Sequence, residues 1–456
     1  MTVSAGIFRQ YDIRGIVGQD LTGEAAYAVG AAYATYVRHR GTSGAVVVGR
    51  DNRPSGKLLR DMLVRGLTEH GLPVIDIGVV PTPVVYWALH HLQVIGGIQI
   101  TGSHNPAEYN GFKLCLGTQS MHGSQLQELF AIQRRGTTPG LTASVREQGG
   151  IIDRYIDDVA GRVGKIRRPI TAVVDCGNGA GALVAEKLFA RLGVKIIPLF
   201  CESDGTFPNH HPDPTVEKNL VDIVAAVKVN RADIGIAFDG DADRIGVIDD
   251  NGAIIWGDHV LILYARDVLE RTGRGQAIIF DVKCSQALPD EISRAGGTPV
   301  MWKTGHSLIK DKMRELNAPI AGEMSGHMFF AEGFYGHDDA MYGAARLLAI
   351  IDRSGKSVSE LLGDVPKFVS TPELRVDVPE SEKFAIVERA VQHFSATREV
   401  NGVDGARVLF GDGWGLIRAS NTQPILVTRF EARTPERLRE IRDEMEGWIR
   451  SQGITV

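Results

Sequence analysis

Ile95-Gly-Gly-Ile-Gln-Ile100, an apolar run that ends directly in Thr101-Gly-Ser-His-Asn-Pro106, is the stretch on which the fold turns. The run reads as a strand, and the glycine and proline after it mark its end. Upstream, Gly44-Ala-Val-Val-Val-Gly49 is another short apolar run, Lys57 to His70 carries a helical pattern, and Val74 to Ile77 is strand-like before Val84 to Leu92. Short apolar runs that alternate with longer amphipathic stretches predict βαβ units around a mainly parallel sheet. Ser103 then stands where a strand ends, the edge at which open α/β sheets bind their ligands.

Outward from this stretch the pattern recurs. Polar and glycine-rich punctuation from Arg134 to Gly140 and at Gly149-Gly150 marks a boundary, giving a first α/β domain over 1–150. A second, 151–252, has strands expected at Thr171 to Asp175, Lys195 to Phe200, Asp233 to Asp239 and Ile245 to Asp249, with Asp250-Asn251-Gly252 as a hairpin turn. A third, 253–366, runs through Ala277 to Phe280, Pro299 to Trp302 and Pro319 to Ala321 to a helix from Ala340 to Ile351. The last part, 367–456, reads as α+β, with helices over Lys383 to Ser395 and Pro435 to Arg450 and strands around Leu416 and Ile425 to Phe430.

Composition excludes several classes. Of 456 residues, 43% are hydrophobic and 23% charged, the balance of a fully folded globular chain. A net charge of −5 with no long basic run offers no footprint for nucleic acid. Four cysteines, none in a Cys-x-x-Cys pair, suggest neither a disulfide framework nor a cysteine zinc site. No apolar run reaches the ~18 residues of a membrane span, and Met1 to Gly15 lacks a signal peptide's apolar core. The expectation is a cytoplasmic protein, monomer or homodimer, with small-molecule partners.

The strongest chemical signal is Asp239-Gly-Asp-Ala-Asp-Arg244, three carboxylates at alternate positions leaving an apolar strand. They cannot all ionise together without a cation, and oxygen ligation favours Mg²⁺ or Ca²⁺. An EF-hand loop would need Gly and Glu where Arg244 and Asp250 stand, so Mg²⁺ and phosphate chemistry are the better reading. Ser103 alone is an ordinary turn residue, and Asn105 spoils the Gly-x-Ser-x-Gly of an acyl-transfer serine. Cys176-Gly-Asn-Gly-Ala-Gly-Ala182 matches a dinucleotide pattern, but nothing related to hydride transfer accompanies it, and a tight turn is preferred. Gly322-Glu-Met-Ser-Gly-His327 suits a polyol, and Arg418-Ala-Ser-Asn-Thr422 a phosphate.

These four motifs, in this order and with Phe8-Arg-Gln-Tyr-Asp-Ile-Arg-Gly15, resemble the α-D-phosphohexomutases over nearly the whole chain. The resemblance implies a four-domain architecture, three related mixed α/β domains plus a smaller α+β C-terminal domain, each supplying one loop to a central cleft. It implies phosphoserine at Ser103, Mg²⁺ held by Ser103, Asp239, Asp241 and Asp243, and sugar hydroxyls on Glu323, Ser325 and His327. A distal phosphate would lie on Arg418, Ser420, Asn421 and Thr422. Arg244, Lys113 and His104 would supply positive field, His306 or Lys113 would handle the hydroxyl proton, and Tyr11, Arg14 and Lys283 would help to hold substrate.

The reaction so implied moves phosphate between O1 and O6 of a hexose phosphate, with a hexose 1,6-bisphosphate as intermediate and activator. Met324 and the Gly326-His327 ending resemble the branch that accepts both mannose and glucose phosphates. A glucosamine-phosphate mutase is the alternative, and a non-catalytic sugar-phosphate sensor is the reading from another class.

Overall fold

The structure, a computed structural model, describes residues 3–421 and 423–456. The chain forms two compact units, one of Met1–Tyr264 with Ser325–Leu361, the other of Ala265–Met324 with Leu362–Val456.

The first unit holds a seven-stranded sheet in the order Ile13–Ile16, Tyr109–Leu116, Val94–Ile100, Ala45–Arg50, Val74–Val79, Val145–Glu147, with Gln119–Ser120 beside Tyr109–Leu116. From Val94–Ile100 to Val145–Glu147 the strands are parallel, as the alternation predicts. Val46, Val48, Ile98, Ile100, Phe112 and Leu114 recur at period two, so they line one face. Against that face the helix Gly56–Glu69 lays Leu59, Leu63 and Leu67, all fully buried at a helical repeat of four. Truncating any one to alanine costs about 2–5 kcal/mol.

Strand Tyr109–Leu116 was not predicted, because Asn110, Gly111 and Lys113 interrupt its apolar pattern. It runs antiparallel to both Val94–Ile100 and Ile13–Ile16, pairing Ile100 with Phe112 and Arg14 with Gly111. The Ser103 loop is thereby the connection between two adjacent antiparallel strands, its base closed by Thr101 N–H on Gly111 O at 3.1 Å. Helix Gly23–His39 was also missed; Thr22 caps it by accepting from Ala25 N.

The same unit holds a five-stranded sheet in the order Ile254–Ile255, Ile245–Ile248, Ile234–Phe238, Thr171–Asp175, Lys195–Leu199, with the expected hairpin at Asn251-Gly252. In the second unit Ala277–Asp281 lies parallel between Thr298–Trp302 and Ile320–Gly322. Its other sheet is antiparallel, in the order Val369–Ser370, Ile425–Ala432, Gly413–Ala419, Ala406–Leu409, Val400–Asn401, with Leu374–Asp377 also on Ile425–Ala432. Helices Lys383–Ser395 and Pro435–Ser451 supply Ile386, Phe394, Ile441 and Met445 to its core. Among the described residues no helix is long and apolar enough to cross a membrane.

Candidate active site

Ser103 is buried and adopts a left-handed conformation, φ 50°, uncommon for a residue with a Cβ. Such a conformation persists only when its surroundings dictate it, and here one side chain does most of this. The Arg53 guanidinium donates to four carbonyl oxygens of the loop: Ser103 at 2.7 Å, Asn105 at 2.6 Å, Pro106 at 2.5 Å and Tyr109 at 3.0 Å. Asp51 completes the brace, accepting from Arg53 Nε at 3.1 Å and Thr101 Oγ1 at 2.8 Å, while Thr101 Oγ1 accepts from Ser103 N. Asp51 and Arg53, which follow the apolar run Gly44 to Gly49, are site residues that the sequence does not single out.

The Ser103 hydroxyl lies 3.1 Å from His104 Nδ1 and donates to Asp239 Oδ2 at 3.3 Å. Burial, with Arg244 and Arg14 nearby, pushes the His104 imidazole well below the usual histidine range, so a neutral ring faces the serine. Arg14 reaches the same loop by donating to Asn105 Oδ1 at 3.0 Å, and Tyr11 stands half-buried three residues before it.

Asp239, Asp241 and Asp243 leave the strand Ile234–Phe238 fully buried. The loop can touch Ser103 because residue 240 is glycine: a Cβ there would stand 2.5 Å from Ser103 O. Behind it, Gly179 of the Cys176–Ala182 turn approaches so closely that a Cβ would lie 2.7 Å from Gly240 O, and Ala180 N–H donates to that oxygen at 2.9 Å. The small residues that imitate a dinucleotide motif thus serve close packing beneath the acidic loop.

The three carboxylates place one oxygen each within 4.8 Å of one another. Asp241 Oδ2 accepts from Thr82 Oγ1 at 2.5 Å and from Lys113 Nζ at 2.9 Å, but its Oδ1 is buried with no hydrogen-bond partner. Lys113 also pairs with Asp243; burial opposes its charge, yet Asp241 and Asp243 raise its pKa above the ordinary lysine range. Burial would likewise raise Asp243, but Lys113, His327 and Arg244 hold it well below the carboxylate range. Burial and then Asp243 and Asp241 push Asp239 well up. An orphaned carboxylate oxygen among three buried acids fits a divalent cation with oxygen ligands. A second grouping, Asp243 with His327 and Asp338, shares one of these acids.

The boundary between the two units falls inside the Glu323–His327 motif. In the first unit His327 Nε2 lies 3.1 Å from Asp243 Oδ1 and 3.3 Å from Arg244 Nε, and Ser325 Oγ lies 3.3 Å from His327 Nδ1. The structure therefore brings Ser103, His104, Lys113, the three aspartates, Arg244, Ser325 and His327 into one cluster.

In the second unit buried Asp281 is a hub, accepting from Met324 N at 2.9 Å and Thr304 Oγ1 at 3.0 Å with Lys283 Nζ at 3.7 Å. Asp404 accepts from Thr304 N at 3.0 Å and Arg418 Nε at 2.6 Å, so one carboxylate grips both the turn before His306 and the Arg418 turn. His306 opens the helix His306–Leu316, and the preceding Gly305 N–H donates to Glu323 at 2.6 Å. Lys283 donates to Glu373 at 2.6 Å. Ser420 accepts from Gln423 N at 3.2 Å, closing the turn that contains half-buried Asn421; Thr422 lies outside the described residues. Asp281, Asp404 and Glu373 were missed because each is a single acid in an unremarkable stretch.

Family comparison fits this arrangement domain by domain. The phosphoglucomutase/phosphomannomutase descriptions match in chain order: α/β/α domain I over residues 5–137, domain II over 153–252, domain III over 256–368 and the C-terminal domain over 373–447. The chain belongs to the phosphoglucomutase/phosphomannomutase family. A phosphomannomutase/phosphoglucomutase of Pseudomonas aeruginosa is 48% identical over 97% of this chain and 95% of its own length. A phosphoglucomutase of Neisseria gonorrhoeae is 45% identical over 99% of this chain and 98% of its own. The crystal structure of a phosphoglucomutase/phosphomannomutase family protein from Burkholderia thailandensis superposes with a TM-score of 0.90 at 42% identity, covering 99% of this chain and 98% of that one. Within the family frame the acidic cluster and the Arg418 turn belong to domains that differ in sheet type, the first mixed, antiparallel from Ile254–Ile255 to Ile234–Phe238 and parallel from there to Lys195–Leu199, and the second antiparallel.

Proposed function

We propose that the chain is a phosphomannomutase/phosphoglucomutase, an isomerase that moves a phosphoryl group between O1 and O6 of mannose and glucose phosphates. The observation that carries this is the buried Ser103 hydroxyl 3.3 Å from Asp239 in a loop of three carboxylates. Relatives 45–48% identical along nearly the whole chain bear these activities in their names.

Ser103 rests as phosphoserine. Asp239, Asp241, Asp243 and the Ser103 phosphate would hold Mg²⁺, which when bound offsets charge on the transferring phosphoryl group. The free O1 or O6 of a hexose monophosphate attacks that phosphorus; the new O–P bond forms as the bond to Ser103 Oγ breaks, and the hydroxyl proton passes to a protein base. His306 is the preferred base, since Lys113 is held as a cation by two aspartates. The product of this half is a hexose 1,6-bisphosphate, and transfer of its other phosphoryl group back to Ser103 completes the isomerisation. Glu323, Ser325 and His327 take the sugar hydroxyls, and Arg418, Ser420, Asn421 and Thr422 take the phosphate that does not react.

Conversion of mannose 1-phosphate and glucose 1-phosphate to their 6-phosphates, with Mg²⁺ and glucose 1,6-bisphosphate present, tests this. Turnover of both is expected. Conversion of glucosamine 1-phosphate alone would move the chain to the alternative branch, and no conversion of any of the three would refute mutase activity.

A further inference from the structure

Two of the four cysteines, 25 positions apart in sequence, meet in the second α/β fold of the first unit: Cys201 Sγ lies 3.2 Å from Cys176 Sγ. The backbone sets this up. Thr171–Asp175 and Lys195–Leu199 pair in parallel, Cys176 N–H extends the ladder to Leu199 O at 3.1 Å, and a left-handed φ of 48° at Phe200 turns the chain. Cys201 Sγ then points back to Leu199 O and Val174 O, at 3.3 and 3.5 Å. Cys176 is buried, whereas Cys201 is partly open to solvent; Cys115 and Cys284, the other two, are buried.

The pair adjoins the support of the Ser103 loop. One residue past Cys201, Glu202 O accepts from Asn178 Nδ2 at 2.9 Å, and Asp204 N–H donates to Asn178 O at 2.9 Å. Asn52 Nδ2 donates to Asn178 O at 2.7 Å and to Ser203 Oγ at 2.9 Å. A Cβ on Gly205 would come within 2.3 Å of Asn52 O and 2.6 Å of Arg53 Cα. The segment after Cys201 therefore runs through Asn178 and Asn52 to Gly205, which is laid directly on the backbone of Asn52 and Arg53, and the Arg53 side chain holds four carbonyls of the Ser103 loop.

We propose that Cys176 and Cys201 are an oxidative modification site, closing to a disulfide under a peroxide and loosening the Arg53 brace of the Ser103 loop. Accessible Cys201 reacts first: its sulfur forms an S–O bond as the peroxide O–O bond breaks, water leaves, and sulfur loses two electrons to become a sulfenic acid. Cys176 Sγ then attacks that sulfur; the S–S bond forms, the S–O bond breaks, and hydroxide departs with the Cys176 proton as a second water. The sum is two thiols and hydrogen peroxide to one disulfide and two waters. The sulfurs must close by roughly 1 Å to reach bonding distance, and the movement falls on the partly exposed Cys201 strand end. A thiol of excess reductant reverses it by exchange.

The test treats the full chain with hydrogen peroxide, alkylates remaining thiols and maps tryptic peptides without reduction. Lys187, Arg191 and Lys195 lie between the cysteines, so they fall on separate peptides that only a disulfide joins. The joined pair is expected in the wild type, lost on adding dithiothreitol and absent in Cys201→Ser. Separate peptides, with Cys201 alkylated or oxidised alone, would overturn the site. In parallel, mutase turnover of the oxidised wild type should fall on the order of tenfold, the scale of a sub-ångström misplacement, and recover with dithiothreitol, while Cys201→Ser keeps its rate. A joined peptide with unchanged turnover, or equal loss in Cys201→Ser, would overturn the link to the Ser103 loop. The rate arm rests on the mutase reading, and the peptide arm does not; absent turnover in the reduced wild type would count against that reading alone.

Discussion

The Ser103 region and the Arg418 region hold charge in opposite ways. Around Ser103 three carboxylates are buried together, and one of their oxygens has no protein partner. Around Arg418 the buried cations predominate, and each meets an acid or backbone carbonyls: Arg418 meets Asp404, Lys283 meets Glu373, Arg407 donates to Val282 O and Cys284 O, and Arg429 donates to Lys283 O. The acidic cluster offers oxygen ligands to a cation and suits chemistry at phosphorus. The basic cluster keeps buried donors in hand, since Nε and Nη2 of Arg407 have no hydrogen-bond partner, and it suits recognition of an anion that competes with its own acids.

If this contrast is right, damage to the first region should act on rate and damage to the second on binding. Ser103→Ala should lower mutase turnover by at least about 10³-fold with thermal stability little changed, since the variant removes the atom proposed to carry the phosphoryl group. A coupled assay with a melting curve checks both, and near-wild-type turnover would break the contrast at its root. Asp241→Asn should cost about 10²-fold in turnover through loss of cation charge stabilisation. It should also abolish the rise in melting temperature that Mg²⁺ is expected to give the wild type; an equal rise in both proteins would contradict the assignment.

Effects in the second region should be smaller. Asp404→Asn loosens the shared grip on Thr304 and Arg418, so KM for the sugar phosphate should rise about fivefold, near 1 kcal/mol, with kcat kept. A fall in kcat at constant KM would put Asp404 on the rate side instead. Glu373 gives the smallest signal. Burial opposes its charge, but Lys283, then Arg429 and Arg418, lower its pKa from 4.5 to about 2. A depressed carboxyl stabilises the fold fully above pH 4.5 and progressively less as pH falls toward 2. A third of the side chain is exposed, so screening leaves about 1 kcal/mol. Wild type and Glu373→Gln should differ in stability by a constant amount from pH 8 to 5, with the gap narrowing below; a gap that widens in acid would contradict the pairing.

The contrast also separates what the sequence made legible. Asp239, Asp241 and Asp243 announce themselves because alternation along a strand end is a local signal. The parallel strands and the helix Gly56–Glu69 were readable for the same reason, as period two and period 3.6 are local. Tyr109–Leu116 was not, since Asn110 bonds Ser55 and Gly111 N, Gly111 O closes the base of the Ser103 loop and Lys113 serves the acidic cluster, all at the expense of the strand pattern. Arg53 acts through partners 50 to 56 residues away, Asp281 on Met324 across 43 and Asp404 on Thr304 across 100, relations no short window of sequence contains. Ser103 itself looked like a turn residue until the other three motifs stood beside it.

The most direct test of the phosphate-carrying serine is chemical. Purified chain incubated with glucose 1,6-bisphosphate and Mg²⁺, quenched in acid and mapped by peptide mass spectrometry, should carry one phosphoryl group on the peptide containing Ser103, and none in Ser103→Ala. A phosphoryl group on any other residue, or a fully active enzyme with Ser103 unmodified throughout turnover, would contradict the account.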